Sequence, residues 1–250
     1  MLILLPPSET KRPGGDGPPL AIETLAYPEL APPRRRVTEA LVALSADEDA
    51  AAKTLKLSVR QRGEVAANAE LFTSPTLPSV DRYTGVLYDA LGAASLHHDA
   101  REWIGHHVAI HSAPFGPVGG LDPLPAYRLG AGIALPGVPP LRRVWADAVA
   151  AALAASAPPF ILDLRSEAYV ALGPVPSAVA SAYVRVVTAG PDGSVRALNH
   201  FNKHAKGDLV RRLASDAPAV RGAGDLLAWA EASGVVLRAR EADSELELVV

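Results

Sequence analysis

Lys203, His204, Lys206, Arg211 and Arg212 all fall within the stretch LNHFNKHAKGDLVRR, residues 198–212. The chain as a whole carries a formal net charge of −3, so this excess of cations is local. Such a cluster is either the solvated side of a helix or a place where an anion is held. Lys203, Lys206 and Gly207 stand near the start of a helix expected from about 202 to 214, where free backbone N–H groups also favour anions. Cations there oppose the helix dipole by roughly a few tenths of a kcal/mol each. Folding alone would not select that conflict. Lys11 and Arg128 add positive groups at the ends of apolar segments or turns. Arg128, between Tyr127 and Leu129, needs a carboxylate or an anionic ligand if it is buried.

Carboxylates and hydroxyls at element ends suggest a second chemistry. Ser8, Glu9, Tyr83, Tyr127, Ser166 and Glu167, with Arg128 and Lys203, could perform general acid–base work or activate water at a glycosidic carbon. Neither Ser8-Glu9 nor Ser166-Glu167 is a ready dyad, since neighbours on a strand face opposite ways. Each pair reads equally as a turn or cap. No phosphate-binding glycine loop and no GxSxG elbow occurs. Cysteine is absent, which excludes disulfides, thiolate metal sites and a cysteine nucleophile. His107 and His111, like His200 and His204, are four apart without the HExxH form. No metal and no cofactor is expected.

The elements that must position these groups follow from pattern. Met1–Leu5 is an apolar run stopped by two prolines and reads as a buried strand. A Pro- and Gly-rich loop fills 6–20. Helical pattern covers 37–56, with a break near 45–47, and 60–71, with Ser58 as its N-cap. A Pro-rich connection spans 73–82. Residues 85–92 read as a helix, 107–112 as a strand, 113–126 as a loop and 127–133 as extended. Residues 141–156 form the best helix, followed by a strand at 160–164. A hairpin is expected from 183–188 through the turn PDGS (191–194) to 195–201. A helix at 224–232 and strands at 235–240 and 245–250 complete the chain. Hydrophobic residues are 49% of the 250 and aromatics 5%, so the core is mostly Ala, Val and Leu. No apolar run is long enough to cross a membrane. The N-terminus lacks the basic start of a signal peptide. A cytoplasmic protein is expected, an α+β single domain over 1–250 with a mixed sheet and surrounding helices.

Several segments fall into a familiar order: MLILLPPSETK, YTGVLY (83–88), HSAPFG (111–116), LDP (121–123), YRL (127–129), VWAD (144–147), DLRSEAY (163–169) and FNKHAKGDLVRR. In this order the chain resembles the YaaA family of bacterial peroxide-stress proteins. The resemblance implies a YaaA-like (cantaloupe-type) fold with a positively charged cleft, and DNA binding. It implies a helix-hairpin-helix-like element in the N-terminal half, where 49–72 carries Lys53, Lys56, Arg60 and Arg62. It also implies a role in limiting damage when hydrogen peroxide meets intracellular iron. Tyr127, Arg128 and Leu129 match the family's PYRL segment, with Ala126 in place of proline. Lys203, Lys206 and Gly207 match its K-x-x-R-G pattern, with Lys206 for arginine. Ser166 and Tyr169 match S-x-E-Y, with Ala168 for the glutamate and Glu167 one residue early. Gly119 and Gly120 replace an Arg-Pro pair, and SETK replaces SPAK around Lys11. The expected site therefore comprises Glu9, Ser166 and Glu167 as catalytic groups. Ser8, Lys11, Tyr83, Tyr127, Arg128, Tyr169, Lys203, Lys206 and Gly207 would bind the anion or nucleic acid. The partner is DNA or a phosphate-bearing small molecule, with no membrane and a monomeric chain expected. The alternative is an enzyme acting on a nucleotide, nucleobase or nucleoside in the same cleft.

Overall fold

A computed structural model describes residues 1–189, 195–197, 201–240 and 244–250. The expected PDGS turn and His200 lie outside the described residues. In chain order, β1 (Leu2–Leu5) leads to α1 (Ala31–Leu44), α2 (Glu48–Thr54) and α3 (Glu64–Ala69). Then come β2 (Leu77–Pro78), α4 (Ser79–Arg82), α5 (Val86–Leu91), α6 (His98–His107), β3 (Val108–Ser112), β4 (Gly116–Gly119) and β5 (Pro123–Leu124). α7 (Leu141–Ala155), β6 (Ile161–Asp163), α8 (Glu167–Val170), β7 (Ser181–Ala189) and β8 (Val195–Ala197) follow. The chain ends in α9 (Phe201–Asp216), α10 (Ala223–Ala232), β9 (Leu237–Ala239) and β10 (Glu245–Val249).

β1 is apolar and buried at all four positions, which suits the middle of a sheet covered on both faces. It pairs in parallel with β3 on one side and β6 on the other. The sheet runs β4-β3-β1-β6-β7-β10-β9, and β8 pairs with β7. Its five central strands are parallel; β4 and β9 close the two ends antiparallel. The result is an α+β fold with a mixed sheet and surrounding helices. The terminal strands share this sheet, as expected, but β6 and β7 stand between them. β2 and β5 form a separate two-stranded ladder.

α7 shows why its pattern was legible. Leu141, Trp145, Val149, Ala152 and Leu153 recur at helical spacing, and all are buried. Trp145 also donates its indole N–H to the Ala113 carbonyl at 2.9 Å. α6 was not anticipated because its apolar stripe is narrow: Ala100, Trp103 and Ile104 are its buried residues, among six charged or histidine neighbours. It ends at His107, so only Val108–Ser112 of the expected 107–112 strand is extended. Residues 113–126 are not merely a loop; they carry β4 and β5. No strand forms at 127–133, where Tyr127 and Leu129 are held by side-chain packing instead.

Two arginines are fully buried without a carboxylate partner among the described residues. Arg34 donates to the carbonyls of Phe115, Tyr27, Ala26 and Pro117 at 2.7–3.2 Å. Arg82 donates to those of Leu124, Arg12 and Pro75. The rigid fork of five donors lets guanidinium staple loops by satisfying orphan carbonyls. The loop after β1 is also laced to 76–84. Gly17 N donates to Thr76 O, Arg12 N to Arg82 O, and Lys11 bridges Tyr83 in antiparallel fashion.

α9 crosses α5 at Gly207. A Cβ there would lie 2.1 Å from the Leu87 carbonyl oxygen and 2.9 Å from the Ala90 side chain. Its glycine thus permits close helix packing, and its amide lies beyond the helix's first turn, where N–H groups are already used. Alanine normally stabilises a helix interior by about 1 kcal/mol over glycine. Here Gly207→Ala will instead destabilise by about 1–3 kcal/mol, because backbone cannot yield to the added methyl. Urea denaturation of the variant measures this, and a gain in stability would contradict the crossing geometry.

Candidate functional site

In a parallel sheet wound both ways, ligands bind outside the carboxyl ends of the strands where the winding direction switches. β1 is that strand here, with β3 and β6 on its two sides. Its exit loop, PPSETK, carries Lys11 to a position among residues from four other segments. Lys11 Nζ lies 4.0 Å from the centre of the Tyr127 ring and 5.5 Å from that of Tyr83. It donates to the backbone carbonyls of Ser8 at 3.0 Å and Glu9 at 3.1 Å. The two phenols are hydrogen-bonded to each other at 2.8 Å and are buried. Tyr88 stacks on Tyr83 at 5.1 Å and donates to the Pro6 carbonyl at 2.7 Å, fixing the start of the loop.

Arg128 reaches the same place from a segment 119 residues downstream. Its guanidinium pairs with Glu9 at 3.2 Å and with Glu64, the first residue of α3, at 3.3 Å. Its backbone is clasped by the fully buried Asn68 amide, which accepts from Arg128 N at 2.7 Å and donates to Arg128 O at 3.0 Å. Arg128 is therefore aimed by α3. Tyr169 completes this group, half-buried and close enough to sense Glu9 and Arg128. Burial, then Glu9, pushes its phenol up, so it stays a proton donor.

Burial, with Arg128 alongside, pushes the Lys11 ammonium down to about 7, against the opposing pull of Glu64 and Glu9. The Tyr127 face favours the charged form, though by only ~1 kcal/mol, less than one pKa unit. Burial holds Tyr83 and Tyr127 well above the usual phenol range. The cluster therefore pairs an amine that titrates near neutrality with hydroxyls that remain protonated, an arrangement suited to acid–base work.

A second polar row crosses the carboxyl ends of β6 and β3 and reaches Tyr183, near the start of β7. Arg165, fully buried, makes a bidentate pair with Asp163 at 2.6 and 2.9 Å. Its Nη1 donates to His111 Nδ1 at 2.8 Å and to the Gly173 carbonyl at 2.8 Å. An arginine only donates, so His111 Nδ1 must be the acceptor and Nε2 carries the hydrogen. That buried Nε2–H has no partner among the described residues. Burial and Arg165 hold His111 well below the ordinary histidine range, so it is neutral at pH 7. Gly173 is required there, since a Cβ would sit 2.8 Å from His111 Cε1. Lys206 lies at the far end of the row, buried, with Nζ 5.3 Å from the Tyr183 ring. Burial pushes it down to about 8, with Asp163 opposing.

The expected site residues thus divide. Lys11, Tyr83, Tyr127, Arg128 and Glu9 converge, with Ser8 lending its backbone oxygen and Tyr169 beside them. Lys206 belongs to the second row. Ser166 is an exposed N-cap of α8, and Glu167 is exposed and paired with Arg185 at 3.6 Å. Lys203 and His204 are exposed in the first turn of α9. Arg211 donates to the Leu91 and Gly92 carbonyls, and Arg212 pairs with Asp208, so both are structural. Asn68, Glu64, Asp163 and Arg165 were missed. For the last two the signal was present: a charged pair two apart, closing an apolar strand, must share a face. His107 is tied to the Met1 carbonyl and His111 to Arg165, so the pair does not share a ligand site. Among the described residues no cluster of three metal-ligating side chains occurs. No helix among them is long and apolar enough to cross a membrane.

The family model described as "Peroxide stress protein YaaA" matches residues 1–227. UPF0246 proteins of Corynebacterium glutamicum and Corynebacterium efficiens are 42% and 43% identical over 255 residues, covering 100% of each chain. One from Streptomyces coelicolor is 42% identical over 91% of this chain and 88% of its own. With the motif order and the whole-length matches in agreement, the chain belongs to the YaaA (UPF0246) family of peroxide stress proteins.

Proposed function

We propose that this protein binds nucleic acid along an exposed basic hairpin and acts on it at the adjoining Lys11 site. The observation that carries this reading is the continuity of the two through Glu64. α2 and α3 are joined by residues 55–63, in which Lys56 adopts the left-handed conformation (φ 56°) and Val59–Gln61 form one 3-10 turn. Lys53, Lys56 and Arg60 are exposed on this hairpin. Arg62 is taken by Asp49 at 2.6 Å. Ser58 caps the 3-10 turn rather than a longer helix, its N–H and hydroxyl both donating to Gln61 Oε1. The only glycine, Gly63, has right-handed helical angles, so the turn does not depend on glycine. α3 then starts at Glu64, in contact with Arg128. A backbone held by the hairpin would run toward Arg128, which Glu64 touches, and so toward the Lys11 cluster. Exposed Lys203 could add a phosphate contact; buried Lys206 and Gly207 are poorly placed for one.

Lys11 acts as the acid–base group in this reading, Arg128 orients an anion, and the phenols of Tyr83, Tyr127 and Tyr169 donate hydrogen bonds. A site of this kind also suits a free phosphorylated nucleotide. Fluorescence anisotropy with a short DNA decides between them. The Lys53→Ala, Lys56→Ala, Arg60→Ala triple variant should bind about tenfold more weakly at low salt, with a shallower salt slope, by up to ~0.9 per lost phosphate contact. Unchanged affinity and slope would remove DNA from the proposal and leave the small phosphorylated ligand.

A further inference from the structure

We infer that Lys11 is an imine-forming amine and that the ligand of this site carries an aldehyde and a phosphate on one short carbon chain, as a ring-opened aldose phosphate does. The inference rests on the preceding reading that chemistry occurs at Lys11, and it adds the reaction and the substrate class.

The geometry supports nucleophilic use of the amine. Among the described residues no carboxylate lies within ion-pair distance of Lys11, although Glu9 and Glu64 stand on the neighbouring Arg128. The amine instead meets two carbonyl oxygens and the faces of two tyrosines. An uncharged amine has two N–H bonds, and two carbonyls accept them. Its remaining valence is the lone pair. A lysine beside a second cation is one of the arrangements that activate an amine for attack on carbonyl carbon, and Lys11 is only half-buried, so a ligand can reach it. At pH 7 about half of Lys11 is uncharged, against about one part in 3,000 for an ordinary lysine. Arg128, aimed by Asn68, would take the phosphate in exchange for Glu9, the solvent-exposed one of its two carboxylate partners.

The step balances without a redox partner. The Lys11 lone pair attacks the aldehyde carbon, and a carbinolamine forms. Both amine hydrogens then leave with the former carbonyl oxygen as one water, and a carbon–nitrogen double bond remains. The proton moves between nitrogen and oxygen through water, since the Tyr83 and Tyr127 hydroxyls are buried against each other and offer Lys11 their ring faces.

One aldehyde chemistry has two sources, a free sugar phosphate or a base-less deoxyribose within DNA. Borohydride trapping at pH 7 separates them, with 2-deoxyribose 5-phosphate in one arm and an oligonucleotide bearing a single abasic site in the other. A covalent adduct in either arm, mapped to Lys11 by peptide mass, is the expected result, and the arm that reacts names the source. Lys11→Arg should lower trapping at least a hundredfold, and a melting curve confirms that this variant folds. Absence of an adduct in both arms, or an adduct on Lys206 or the N-terminus that survives Lys11→Arg, overturns the inference. Unchanged DNA affinity and salt slope in the hairpin variant, with trapping of the free sugar intact, would overturn only the nucleic-acid reading.

Discussion

Asp163→Ala will cost about 3–5 kcal/mol of folding stability, the largest loss expected from any single change at the site. The Asp163 and Arg165 side chains are 5% and 0% exposed, and they share two hydrogen bonds. Removing the carboxylate leaves a guanidinium uncompensated in the interior, which is far more costly than lacking the pair altogether. Arg165 also holds His111 and the Gly173 carbonyl, so the disturbance spreads across the ends of β6 and β3. The double variant Asp163→Leu, Arg165→Met removes both charges and most of the desolvation cost. It should recover at least half of the loss. Urea denaturation of both variants provides the measurement. A single variant costing under about 1 kcal/mol would mean that water reaches Arg165 and that the row is not a buried network.

Lys11→Met is expected to abolish imine trapping and, at the same time, to make the fold more stable at neutral pH by about 1 kcal/mol. The reason is linkage. Lys11 is pushed down to about 7 in the folded chain, from an ordinary value of 10.5. Between those values the unfolded chain binds the proton and the folded chain does not. Wild-type stability therefore rises as pH increases through that window, and the penalty is fully present below pH 7. Lys206, at about 8, contributes in the same direction between pH 8 and 10.5. Above pH 10 the buried phenols act oppositely, since unfolding lets them ionise. Melting temperatures from pH 6.5 to 9.5 isolate the lysines. The methionine variant should show a flatter rise than wild type and start higher. An unchanged slope would show that Lys11 is solvated and charged, which would remove the physical basis for its role.

Much of this protein was legible before any coordinates. β1, α5, α7, β6, β7, α10 and the last two strands lie close to where periodicity and breakers put them, because those signals are local and strong. Motif order identified the family. The chain also contained, unread, the hint of its buried network in Asp163 and Arg165. Pattern reading was weakest where packing overrides it: α6 has too narrow an apolar stripe, and β4 and β5 are too short and too rich in glycine and proline to stand out.

The residue types that could do chemistry were determined by sequence alone, as were their places at element ends. Which of them meet was decided by the sheet. Lys11 and Arg128 come together because β1 lies between β3 and β6 and because Asn68 clasps a segment 60 residues away. Lys203 and Lys206, one turn apart in the most cationic stretch of the chain, end in different environments, one in solvent and one buried near the ring of Tyr183. A helix turns about 100° per residue, so three steps leave neighbours on one side, and only the packing partner determines which is covered. Charge count is a property of the sequence. Whether a charge is solvated, paired or titrating near neutrality depends on the distance to other groups and to water, which only the folded chain sets.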